Sequence, residues 1–441
     1  MNMTRSNHTH DASRKSWVRS ANDGATDFPI QNLPHGVFRR ASRGEDFRGG
    51  IAIGDQILDV GAALARSLFP AEAREAAQAA ARAPLNDYMA LSSDKRSAVR
   101  SAVSFLLSED CPQRKEVSEC LVPQADAEYA LPARIENFSD FYSSLSHATN
   151  VGRLFRPDNP ILPNYRWLPV GYHGRTSSIR VSGQDFRRPT GQLKDPSSAE
   201  PEFAPSRRLD YEAELGVLIG QGNELGTAID IQNADAHVFG VCLLNDWSAR
   251  DIQSWEYQPL GPFLAKSFFT SLSPWIVTLE ALEPYRTGFS RPEGDPAPMP
   301  HLWSPELATR GSIDIRVETL LQSAQMRTSG APPASLSISR YPDAYWAMSQ
   351  LIAHQTSNGT NLCPGDLLGS GTLSGPDPAS RACLLELTEG GKHPFTLPGG
   401  ETRTFLEDGD TVIMRGWCER DGYRRIGFGE CRATVLPARR P

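Results

Sequence analysis

The sequence predicts a mainly β protein with some α: a small N-terminal barrel-like domain with helices, then a large strand-rich C-terminal domain. Three observations predict it. Short β-rich pieces between about Phe28 and Val60 are broken by Gly and charged turns. From Ala62 to Leu107 the chain is rich in Ala, Leu, Arg and Glu with helical spacing, interrupted near Pro84. Beyond residue 131, apolar runs such as Leu215 to Ile219, Val238 to Leu244, Trp275 to Leu279 and Ile313 to Val317 alternate with Gly and Pro turns, as buried strands do.

Taken in order, residues 1–20 are polar and mildly basic and lack the apolar centre of a secretory signal, so they are expected to form a disordered extension. His8 and His10 offer metal ligands there, although two histidines in such a tail are expected to face solvent. Residues 21–130 form the small domain plus its linker, which is placed at 109–132 because that stretch holds three prolines and mixed charge. Residues 131–441 form the large domain, in which the Pro- and Gly-crowded segment 284–305 reads as a surface loop.

Composition sets limits on function. A net charge of −7 gives no electrostatic basis for a nucleic-acid partner. No apolar run approaches the roughly 20 residues that span a membrane. The seven cysteines include no CxxC pair, which disfavours zinc ribbons and redox motifs and fits reduced thiols in a cytoplasm.

The residues with chemical potential begin at Leu209–Val217. Leu209, Tyr211, Ala213, Leu215 and Val217 alternate with polar or small residues, which places Glu212 and Glu214 together on the opposite face of a strand. Such a pair binds a divalent cation or forms a solvated acidic face. The apolar run Val238–Leu244 leads into Asp246, a carboxylate at a strand end. The following segment reads as a short helix that puts Arg250, Gln253 and Tyr257 within one arc, a donor array for an oxygen-rich anion or a polar face turned to water. Lys266 sits among apolar and turn residues, where burial demands an anionic partner. Asp140 caps a helix or binds metal. His147 is the general-base candidate because imidazole titrates near neutrality, with a structural role as the alternative. Glu386 reads as a residue on a strand face shared with Ala382 and Leu384, an apolar setting that asks for a partner such as a histidine. His173 reads as structural. Gly369–Gly375 is followed by no P-loop lysine and reads as a tight turn.

Together the stretches DFYSSLSHATNVG (140–152), LPVGYHGRTSSI (168–179), LDYEAELG (209–216), LNDWSARDIQSWEYQPLGPFLAKSF (244–268), NLCPGDLLGSGTLSG (361–375) and LLELTEGG (384–391) resemble the fumarylacetoacetate hydrolase family, from about residue 24 onward. The resemblance implies an SH3-like N-terminal barrel and a β-roll C-terminal domain of the fumarylacetoacetase type, typically homodimeric. It implies a divalent cation, Ca²⁺ and/or Mg²⁺, at Asp140, Glu212, Glu214 and Asp246, and a second, magnesium-type site using Asp246, Lys266 and Thr270. His147 matches the general base and Glu386 its partner. Arg250, Gln253 and Lys266 match donors to the oxyanion and departing carbanion. Tyr142, Arg156, Tyr172, Gln253, Tyr257 and Thr372 match substrate-binding positions. The implied reaction is hydrolytic carbon–carbon cleavage of a small β-diketo acid, 4-fumarylacetoacetate, with an acylpyruvate-type substrate on the same scaffold as the alternative. Two departures stand out. Leu145 and Ser146 precede His147 where animal members carry Arg-Gln, and Phe269 replaces a glycine, placing a bulky ring beside Thr270.

Overall fold

The computed structural model describes residues 6–41 and 44–439. Alternation and turn chemistry near the N-terminus produce a five-stranded antiparallel sheet. His35–Arg40 pairs with Arg48–Ile53 on one side and Ala127–Ala130 on the other, and Gln56–Asp59 joins Arg48–Ile53 to Leu121–Pro123. The helices Val60–Ala65, Ala71–Ala80 and Ser93–Leu106 cover it, as the helical spacing predicts. Asp59 caps the first of these through the backbone N–H of Ala62. The proposed linker is corrected: it contributes both edge strands of this sheet, so its prolines mark turns within the domain.

The disordered extension is corrected too, for the described residues from 6 onward; residues 1–5 lie outside them. His10 is buried, and its Nε2 lies 2.9 Å from the carbonyl of Glu280. Asn7 Nδ2 donates to Glu280 Oε1 at 2.9 Å, and Arg14 Nε donates to Ser104 Oγ at 2.9 Å. Polar side chains that suggest disorder by composition here serve as docking groups. Burial, aided by the charge of Arg100, pushes His10 down to about 4. A detached His10 would titrate near its ordinary 6.5, so docking is favoured above that value and weakens as pH falls from about 6.5 to about 4. Protection factors across residues 7–14, which are corrected for the intrinsic pH dependence of amide exchange, are therefore expected to fall at pH 5 relative to pH 7.5, and by more than those in Ser93–Leu106.

The large domain centres on an eight-stranded sheet whose order departs from chain order. Phe138–Phe141 lies parallel to Leu367–Gly369, which pairs with Ala213–Ile219, then Val238–Asp246, Thr270–Leu272 and Ile179–Val181. A second sheet of five strands, including Ile315–Gln322, Thr411–Cys418 and Ile426–Leu436, packs against it, and side chains of both sheets share one apolar core. The segment 284–305 is more than a surface loop, since Phe289 and Leu302 are buried in that core. No helix among the described residues is long and apolar enough to cross a membrane.

Candidate active site

The strand order of the main sheet creates the site. Asp140 is registered beside Gly369, Gly369 beside Gly216, and Asp246 beside Thr270, so residues far apart in sequence meet across neighbouring strands. Asp140, Glu212, Glu214 and Asp246 each place a carboxylate oxygen within 4.8 Å of the others. All four are buried, Glu214 completely at 0% exposure. A solvated acidic face is thereby excluded. Asp140 caps no helix; Ser144 caps Leu145–Phe155 through the N–H of His147, at 3.0 Å.

The cluster is unevenly compensated. Glu212 receives Arg250 Nη1 at 2.7 Å and the ammonium of Lys266, which also donates to Asp246 Oδ2 at 2.6 Å. Burial opposes charge on Glu212, but Lys266 and Arg250 outweigh it and hold the carboxyl below its usual range. Burial likewise opposes the Lys266 cation, and Asp246 and Glu212 reverse that, raising its affinity for the proton. Asp140 and Glu214 have no such cation partner. Burial, then neighbouring carboxylates, pushes both far upward. Asp140 Oδ1 and Glu214 Oε1 are buried without a hydrogen bond. Two orphaned oxygens facing an all-oxygen donor set fit a hard divalent cation.

Gly369 ends the strand Leu367–Gly369 beside Asp140, at a position that tolerates no side chain. A Cβ there would lie 2.6 Å from Asp140 Oδ1 and 3.1 Å from Glu214 Oε2. These carboxylates can rotate aside, but only by leaving the cluster. Gly369→Ala is therefore expected to fold while binding Ca²⁺ at least about 10-fold more weakly, as titration calorimetry would measure. Gly371 has φ +72 and approaches the Phe141 carbonyl, which makes it a turn glycine, as expected.

His147 sits on the first turn of Leu145–Phe155 and holds Glu386 Oε2 at 2.6 Å through Nδ1. Glu386 stands on a short helix, Leu384–Leu387, so its expected strand position is corrected. Ser374 Oγ donates to the same carboxylate at 2.5 Å and Asn150 Nδ2 at 2.8 Å. Burial opposes its charge, yet His147, Ser374 and Asn150 together hold it down at about 2. A permanent carboxylate on Nδ1 leaves Nε2 as the nitrogen free to accept a proton. His147 also lies close enough to Glu212 to lower that carboxyl, which ties the pair to the acidic cluster.

Other expected residues divide into two groups. Tyr172 donates from its hydroxyl to Asp246 Oδ2 at 3.2 Å, and Tyr142 packs edge-on against the His147 ring at 5.2 Å. Thr372 is buried with an unpartnered Oγ1. Tyr172, Asp246, Lys266 and Thr270 line a cavity of about 160 Å³ together with His173. Arg156 and Tyr257 lie farther out. Arg156 closes its helix and donates to the Pro160 carbonyl at 3.3 Å, while the ring of Tyr257 lies 6.4 Å from that of Phe155. Arg250 begins the helix Arg250–Glu256, and its Nη1 donates to Gln253 Oε1 at 3.2 Å. Arg250 Nη2 is buried and unpartnered, so it is the donor left for a ligand. Phe269 stacks on Phe186 at 4.6 Å, and Thr270 keeps its register beside Asp246, so the ring leaves the strand in place.

Asp210 was missed in the sequence. It accepts from Arg250 Nε at 2.9 Å and from the backbone N–H groups of Leu384 and Leu385 at 2.7 and 2.9 Å. One carboxylate thus fixes both Arg250 and the helix that presents Glu386. The signal was available, because Asp210 continues the period-two series of Glu212 and Glu214. Asn150, three residues after His147 on one helix, was legible in the same way.

Residues 31–132 match the family profile described as Fumarylacetoacetase N-terminal, and residues 137–436 match Fumarylacetoacetate (FAA) hydrolase C-terminal. The fumarylacetoacetase of Caenorhabditis elegans is 47% identical over 422 residues, covering 94% of this chain and 97% of that relative. That of Homo sapiens is 45% identical over 433 residues, covering 97% and 100%. That of Arabidopsis thaliana is 44% identical over 434 residues, covering 96% and 99%. A solved fumarylacetoacetate hydrolase from Exiguobacterium antarcticum shares the fold, with a TM-score of 0.50 at 17% identity, covering 92% of this chain and 100% of that one. With both of its domains matched in order, the chain belongs to the fumarylacetoacetate hydrolase family.

Proposed function

We propose that this protein hydrolyses 4-fumarylacetoacetate to fumarate and acetoacetate, in the breakdown of tyrosine and phenylalanine. The observation that carries the reading is the His147–Glu386 pair beside four buried carboxylates, two of which lack any cation partner. Asp140, Glu212, Glu214 and Asp246 would hold Ca²⁺ or Mg²⁺, which oxygen-only ligation favours over zinc or copper. Lys266 and Thr270 stand beside Asp246, where a second, magnesium-type ion would bind. A cation held at the cluster supplies Lewis-acid polarisation of a substrate carbonyl and offsets charge on the departing enolate.

The protein's own groups do the rest. His147 Nε2 takes a proton from water as its oxygen adds to the fumaryl carbonyl, while Glu386 steadies the imidazolium through Nδ1. The carbon–carbon bond then breaks, its electron pair passing to the acetoacetate carbon, which is protonated on leaving. Negative charge gathers on oxygen in both stages. Arg250 Nη2, the Gln253 amide and Lys266 supply donors for it. Tyr142, Tyr172 and Thr372 would position the reacting diketone, and Arg156 and Tyr257 at the rim would meet a distal carboxylate.

Exposed Trp255, Leu260, Phe263 and Leu264 lie along the chain between Arg250 and Lys266. This apolar strip supports a homodimer, which sedimentation would test. Seven free cysteines, six of them buried, suit a reducing cytoplasm. The reaction is tested by incubating purified, cation-loaded protein with a panel of β-diketo acids. Fumarate and acetoacetate should form fastest from fumarylacetoacetate; preferential cleavage of an acylpyruvate would replace this substrate with the shorter one.

A further inference from the structure

The seam between the two domains contains a larger cavity, of about 500 Å³, lined by none of the residues placed in the hydrolytic site. We propose that it is a second ligand site, for a small carboxylate carrying a flat apolar body. The cavity lies where His35, at the start of the first strand, exchanges backbone hydrogen bonds with Ile276 of the large domain. Its size is that of a small-molecule site.

One wall is aromatic. The His35 ring lies 4.9 Å from Tyr88 and 5.9 Å from Phe239, and Tyr88 lies 5.7 Å from Phe239. His35 is 3% exposed and Tyr88 1%, and both side chains line the cavity. Burial, with Arg100 and Arg96 nearby, pushes His35 down to about 3, so at neutral pH it offers one donor and one acceptor.

Beside that wall stand two guanidinium groups with no carboxylate at ion-pair distance among the described residues. Arg100 is buried and spends its donors on Thr9 Oγ1 and the carbonyls of Asn32 and Gln31. Arg96 gives Nη1 to the Met89 carbonyl and lies 5.5 Å from the Phe239 ring centre. At the far end, by contrast, Arg286 pairs with Asp235 at 2.7 Å and Arg310 pairs with Glu283. Glu280, the nearest acid, is bound by the neutral donors Asn7 and Ser97. The two guanidiniums without an ion pair therefore stand at the aromatic end, with Glu280 as the acid whose charge reaches them. A carboxylate facing Arg96, with its planar body against His35, Tyr88 and Phe239, satisfies both features. A cation would find no unpaired carboxylate beside Arg96 and Arg100, and a bare inorganic anion would leave the rings uncovered.

The direct test is a crystal of the full, cation-loaded chain soaked in 4-bromobenzoate. The bromine anomalous peak is expected in this cavity, with the carboxylate on Arg96. In calorimetry, benzoate is expected to bind, benzylamine not to bind, and Arg96→Gln to weaken benzoate at least about 10-fold. Because Arg96 lies outside the hydrolytic site, Arg96→Gln should leave turnover intact. Absence of a bromine peak here, a peak only in the cavity of Asp246 and Lys266, or equal benzoate affinity in the variant would each overturn the proposal. Should Arg96→Gln fail to fold, the position of the bromine decides alone.

Discussion

His147→Ala is expected to lose about 10²- to 10⁴-fold in kcat, the usual contribution of a positioned general base, while retaining its cation. The separation of these two outcomes follows from geometry. Nδ1 of His147 is engaged with Glu386, and the orphaned oxygens of the cluster belong to Asp140 and Glu214, so the imidazole lies outside the set that would hold the ion. Removing the ring leaves Glu386 with Ser374 and Asn150, which preserves its hydrogen bonding and limits the structural cost. Glu386→Gln should cost less than His147→Ala, because an amide still accepts from Nδ1 but no longer stabilises the imidazolium. Steady-state turnover together with Ca²⁺ titration of both variants checks this. Near-normal kcat in His147→Ala would remove the base from the mechanism.

Glu214→Gln is expected to abolish cation binding in practical terms, weakening it by more than about 100-fold, since even supporting residues around a metal cost 10- to 100-fold. The same substitution should leave the cation-free protein as stable as the parent or more so. Burial, then Asp140, Asp246 and Glu212, disfavours charge on Glu214, and a neutral amide of the same shape relieves that penalty. Lost activity with a maintained or raised Tm, measured in chelator, is the signature of a residue kept for function at a cost in stability. A lowered Tm in chelator would instead make Glu214 a structural residue.

Much of this site was legible before folding was considered. The placement of Asp246 at the end of an apolar strand survives in the structure, and Glu214 stands on Ala213–Ile219, but the single strand expected through Leu209–Val217 is corrected: it breaks after Asp210, and Glu212 lies in the gap before Ala213. Their convergence was not legible from spacing, because the sheet interleaves Phe138–Phe141 and Leu367–Gly369, from opposite ends of the large domain, beside Ala213–Ile219. Family resemblance, not periodicity, supplied that link. Glu386 was placed on a strand because it alternates with Leu384 and Ala382 at a spacing of two. Its short helix depends on Asp210, which binds two of the helix's first N–H groups from a distant segment. The N-terminal tail misled for a related reason. Composition reports how much apolar surface a segment can bury, and this one is held instead by Asn7, His10 and Arg14 reaching groups on other elements. Phe269 shows the limit of reasoning from residue size alone, since a large side chain beside Thr270 is harmless when it points toward Phe186.

The account stands or falls on chemistry that needs the acidic cluster and the imidazole together, acting on one substrate. The most direct measurement follows the disappearance of fumarylacetoacetate's conjugated absorbance in wild-type protein stripped by a chelator, then resupplied with Ca²⁺ or Mg²⁺. The prediction is loss of turnover on stripping and recovery on resupply. Undiminished hydrolysis by the stripped protein, or none by the reloaded one, would contradict it.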